Sequence, residues 1–140
     1  RLALMLYGSY WLMALGYGAL GAAYMGAPVL PSAARHLLLA GSMGLVIFTI
    51  MCIVSRIHSG LWLDRRPWLP LTALLLIAAA VVRALAGVYS LLPWYSPLLV
   101  VSGVLWMAAF GLFALYFFGI LCSPRKDGQP GCAEPIVEKD

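Results

Sequence analysis

Few side chains in this sequence could hold a metal ion or an anion, and they cluster at the ends of long apolar runs. His36 follows Arg35, His58 follows Arg56 by two positions, and Arg83 lies inside a third apolar run. Neutral imidazole is the commonest metal ligand, and guanidinium is the natural clamp for carboxylates and phosphates. His36 can therefore be read as a ligand for iron or copper, or as an interfacial residue touching headgroups and water. His58 has a plainer option, since a histidine at the C-terminal end of a helix hydrogen-bonds the last carbonyls and complements the helix dipole. If both sit on one continuous helix, the twenty-two positions between them amount to about 33 Å at 1.5 Å per residue. They cannot share a metal or sandwich one haem. Any haem held by this chain needs a second axial position that is vacant, non-histidine or supplied from outside.

Arg83 raises a different question. It lies about fifteen residues into its apolar run, roughly 22 Å along a helix and so within the outer third of the bilayer, and an arginine there costs at least about 2.5 kcal/mol unless it snorkels or finds a partner. The apolar runs contain no Asp or Glu. Its anion would be a lipid phosphate, a ligand carboxylate such as a haem propionate, or an acid on another subunit. His36, Arg35 and Arg83 are expected at one depth, where they can converge.

The elements that position these residues follow from composition. Of 140 residues 64% are hydrophobic and only 10% charged, which points to a membrane protein. A bilayer core of about 30 Å needs roughly 20 apolar residues per helix. Four runs meet that length: 2–25, 37–57, 68–89 and 98–121. The linkers between them carry prolines, glycines and an interfacial Trp-Tyr pair, and the absence of period-2 alternation excludes a barrel. The expected fold is an all-α integral membrane protein: a four-helix transmembrane bundle over 1–121, followed by a short irregular polar tail over 122–140. Tyr10, Tyr17 and Tyr24 with their neighbouring glycines read as a packing stripe on the first helix. Ser42 and Thr49 are possible donors between helices.

Arg1, Arg56, Arg65, Arg66, Arg125, Lys126 and Lys139 fall on one face of this topology and Arg35 on the other. Basic loops face the cytoplasm, so both termini are expected there. The net charge of +4 is accounted for by topology, with no nucleic-acid signal. Cys52, Cys122 and Cys132 form no CxxC or Cys/His cluster and read as free thiols, a soft-metal pair of Cys122 and Cys132 being the alternative. No phosphate-binding glycine loop, Ser-His-Asp set or HExxH occurs.

The run "HLLLAGSMGLVIFTIMCIVSRIHSG" from His36 resembles the signature of the NnrS family: a helix that begins with His, carries a small-residue step, and ends in Arg, a spacer, His and Gly. Arg83 in "AAAVVRALAG" and the ending "SPRKDGQPG" are similar to that family too. After Ser59-Gly60 the family has a basic residue, whereas here Leu61-Trp62 follow and the basic pair arrives at Arg65-Arg66. The resemblance covers essentially the whole chain but only the last four helices of a protein with about a dozen spans. It implies a multi-pass bacterial inner-membrane protein associated with b-type haem and copper and linked to nitric oxide metabolism or resistance during denitrification. Carried over to this sequence, His36 and His58 become haem or copper ligands, and Arg56 and Arg83 become residues that fix propionates or other anions. The competing expectation is a non-catalytic transmembrane scaffold of a respiratory or nitric oxide reductase complex. Its partners would be the bilayer and further transmembrane helices. A transporter is less supported, because the spans hold no carboxylate for proton coupling.

Overall fold

The computed structural model describes residues 1–130, 133 and 135, and all its regular elements are helical. Helix α1 is Leu2–Tyr24; α2 is Pro31–His58, with a π-helical stretch at Leu37–Met43; α3 is Trp68–Leu85; and α4 is Tyr95–Leu121, preceded by a 3-10 turn at Tyr89–Trp94. Three of the four, the second, third and fourth, are long and apolar enough to cross a membrane. Four spans were expected, and for three of them both the length and the apolarity are shown. Helix α1 has the length, but four tyrosines, four glycines, Ser9 and Trp11 dilute its apolar character.

The element ends differ from expectation for local reasons. Helix α2 starts at Pro31 rather than near Leu37, because proline at the first helical position needs no N–H partner. His36 consequently sits one and a half turns inside the helix, directly before the π stretch, and does not begin it. Helix α3 stops at Leu85, four residues early, so Arg83 lies in its last turn. Helix α2 ends where Gly60 takes the left-handed conformation at φ 72°. The N–H of Leu61 then bonds the carbonyl of Arg56 at 2.9 Å and that of Gly60 the carbonyl of Ile57 at 3.1 Å. This paired closure satisfies carbonyls the helix would leave bare.

The core is a seam of aromatic and aliphatic side chains: Leu45, Phe48 and Cys52 of α2, Trp68, Leu69 and Leu76 of α3, and Phe113 and Phe117 of α4, with Met5 and Leu12 of α1 closing one side. Phe113 stacks on Phe117 at 4.5 Å, and Trp68 stacks on Tyr116 at 4.7 Å. The hydroxyl of Thr49 bonds its own helix, donating to the Leu45 carbonyl at 2.7 Å, so it does not join two helices. Ser102 does that instead, donating from α4 to the Ala79 carbonyl of α3 at 2.9 Å.

Both ends of the bundle are fastened by backbone. At one end an antiparallel bridge pairs Val29 with Val88, and the Leu30 N–H bonds the Gly87 carbonyl at 2.8 Å. A Cβ on Gly87 would lie 2.7 Å from the Cβ of Ala33 and 3.3 Å from its Cα. Gly87→Val is therefore expected to destabilise the bundle by about 1–3 kcal/mol through overpacking, read as a lowered thermal midpoint in detergent. At the other end the Arg1 guanidinium donates to the Arg65 carbonyl, and the Lys126 N–H bonds the Ser59 carbonyl at 3.2 Å. The N-terminus, the 59–67 loop and the start of the tail thus share one end. No helix forms in the described part of the tail. Cys132 and Lys139 lie outside the described residues.

Candidate functional site

The bridge between Val29 and Val88 ties the start of α2 to the segment after α3, and beside it His36 and Arg83 face one open groove of about 340 Å³. Ala40, Leu99, Ser102, Gly103, Trp106 and Met107 complete its wall. The site is built by three helices. The first α-helical stretch of α2 presents His36, the last turn of α3 presents Arg83, and α4 supplies the apolar side. Ser102 is fixed there by its bond to Ala79. Both His36 and Arg83 are half-buried, while Arg35 is exposed and lies outside the lining. Two of the three residues expected to converge at this end therefore share the groove.

Arg83 is not left without company. Its guanidinium carbon lies 5.7 Å from the centre of the Tyr95 ring, a cation–π geometry. No carboxylate pairs with it among the described residues, so its N–H donors remain available to an anion. Tyr95 was read in the sequence only as half of an interfacial Trp-Tyr pair, although its place in "PWYSP" sets it beside the end of α3. Trp106 adds a second unspent donor: its indole N–H is buried with no hydrogen-bond partner. A buried donor without an acceptor is rare and costly in native proteins.

The opposite end is organised around Asp64, which the sequence reading passed over. Its carboxylate is 3% exposed and meets the Arg66 guanidinium at 2.6 Å, Arg56 at 3.6 Å and the indole N–H of Trp68 at 3.1 Å. Burial pushes the carboxyl pKa up, but hydrogen bonds from the Arg66 side chain and backbone and from Trp68 outweigh it and hold the group at about 2. Arg66 also lies 5.1 Å over the Tyr116 ring. Arg56 is engaged twice, because its Nε also donates to the Trp62 carbonyl at 2.5 Å. His58 is exposed two residues further on. Among the described residues no three His, Cys, Asp or Glu side chains come together in a way that could hold a metal ion.

Apolar helices long enough for a bilayer, closed around an imidazole and a guanidinium at one end and a buried ion-pair cluster at the other, define a multi-span helical membrane protein. The family model described as NnrS protein matches residues 1–125, and the chain belongs to the NnrS family. No curated protein and no solved structure matches it.

Proposed function

We propose that the chain serves, as part of an inner-membrane protein of denitrifying bacteria, in nitric oxide metabolism or resistance, with a b-type haem held at the His36 groove. The observation that supports this reading is the shared groove of His36 and Arg83. A bound haem would supply an iron centre able to take a diatomic gas. In this reading the imidazole of His36 would hold the iron, the N–H groups of Arg83 would hold a carboxylate of the group, and Leu99 and Met107 would keep water from it. The buried Trp106 N–H fits the same picture as a donor awaiting an acceptor.

Copper has less to hold it. His36 and His58 stand at opposite ends of α2, and no cluster of three ligands exists among the described residues. Each histidine offers one ligand, and a copper site at His58 would take the rest from outside this chain. Arg56, proposed from the family as an anion clamp, is drawn toward Asp64 and Trp62. Both termini are proposed to be cytoplasmic, because Arg1, Arg56, Arg65, Arg66, Arg125 and Lys126 gather at the end where α1 starts and the tail leaves α4.

One observation favours a second reading, the non-catalytic scaffold. Little of the Tyr89–Leu121 span is buried within the chain, which leaves a broad face of α4 for lipid or for other helices. A visible spectrum with iron and copper analysis separates the two. The haem reading expects a Soret band that His36→Ala weakens or shifts and His58→Ala leaves unchanged. Protein free of haem and metal after purification would favour the scaffold.

A further inference from the structure

The charged end of the bundle carries a second groove, of about 370 Å³, between the start of α1 and the 59–67 loop. Arg1, Leu2, Ala3, Leu63, Asp64 and Arg65 line it. Although Asp64 contributes a carboxylate, its charge is already matched by Arg66 and Arg56, and its oxygens accept from Arg66 and Trp68. Arg65 differs from its neighbours. Its side chain is exposed and has no partner among the described residues. Arg1 engages the Arg65 carbonyl through one Nη and keeps its other donors.

The rest of the wall is apolar, formed by Leu2, Ala3 and Leu63, and the adjoining Trp62 is 44% exposed. The groove also has a defined depth: α2 ends at His58 and α3 begins at Trp68, and the 59–67 loop that walls it joins these two helix ends. A site that is cationic on one side, apolar on the other and placed at the mouth of a helical bundle matches a molecule built the same way. We infer that this groove binds the phosphodiester of an anionic phospholipid, with Arg1 and Arg65 on the phosphate oxygens and the upper acyl chain along Leu2, Ala3 and Leu63. Guanidinium suits phosphate through paired N–H donors, and basic pockets at the ends of transmembrane helices are known lipid-headgroup sites. The assignment uses none of the residues of the His36 groove.

Native mass spectrometry of the full chain in neutral detergent, titrated with phosphatidylglycerol, phosphatidylcholine or inorganic phosphate, tests it. Phosphatidylglycerol is expected to bind in preference to phosphatidylcholine. Arg65→Gln should weaken that binding about fivefold, the effect of about one basic contact with an anionic headgroup, while Lys126→Gln, at the same end but outside the groove, should change it little. Because the Arg65 side chain is exposed, helical circular dichroism should be unaltered, and this variant carries the test if Arg1→Gln frays α1. Equal binding of the two lipids, or an equal loss in Lys126→Gln, would overturn the site. Displacement of phosphatidylglycerol by millimolar inorganic phosphate would make it a free-anion site instead.

Discussion

Asp64→Asn is expected to lower the unfolding free energy by about 3 kcal/mol, the low end of what breaking a buried ion pair costs because Arg66 is half exposed. Asparagine keeps the shape and can still accept from the Trp68 indole. What it removes is the charge opposite two guanidiniums, of which Arg56 is only 17% exposed and poorly placed to recover hydration. The loss should appear as a shifted midpoint in denaturant titrations followed by tryptophan fluorescence. The pH dependence has a definite sign. The carboxyl is held at about 2 in the folded chain, against about 3.9 when unfolded. The wild type should therefore keep the full contribution above about pH 4 and lose it as the pH falls toward 2. The variant should show a shallower slope there. The residual slope comes from Asp127, whose bonds to Arg125 hold it at about 2 as well. An unchanged midpoint in Asp64→Asn would mean that both guanidiniums find full compensation elsewhere.

A loss of about 3–4 kcal/mol is also expected for Phe48→Ala. The ring is fully buried and meets Phe110 edge-on at 5.5 Å and Phe113 at 5.7 Å. In a membrane protein the unfolded chain remains among apolar neighbours, so the penalty comes from lost contacts and the void rather than from exposure to water. Phe48→Leu, which refills much of the volume, should cost about 1 kcal/mol. Thermal melts of both variants in one detergent check the ratio. Similar losses for alanine and leucine would show that the aromatic edge contacts, and not the filled volume, hold α2 against α4.

The helical character of this chain was legible because runs of apolar residues near 20 in length leave little else to form. Their ends were less so. Pro31 reads as a breaker in a linker, yet it opens α2, and only its place at the first helical turn distinguishes the two roles. The placing of His36 and Arg83 at one groove was legible from topology, since consecutive antiparallel helices bring the start of one beside the end of the next. Asp64 was hidden by its neighbours. Next to Arg65 and Arg66 it looks like one charge in a polar loop, and its meeting with Arg56 depends on the turn at Gly60 that folds the loop back. A signal was present nonetheless: "SG" after the helix marks a left-handed cap, and a lone acid among three arginines invites pairing. The π-helical stretch left no such mark, because seven residues with a single polar side chain, Ser42, are too few and too uniform to show a period that an extra residue would break.

That stretch has a consequence for how the two halves of α2 relate. In an α-helix each residue turns the chain by about 100°, so a wider turn resets the rotational phase of everything before it. The facing of His36 toward the groove and the facing of Leu45, Phe48 and Cys52 toward the core are set independently. Removing one residue between Leu37 and Met43 would restore a regular helix with both His36 and the core in register, whereas winding the same residues as a regular helix would swing the imidazole by about 100°, away from Arg83. The local widening acts as a coupling sleeve: the facing of the His36 side chain at one end is decoupled from the packing that holds the other.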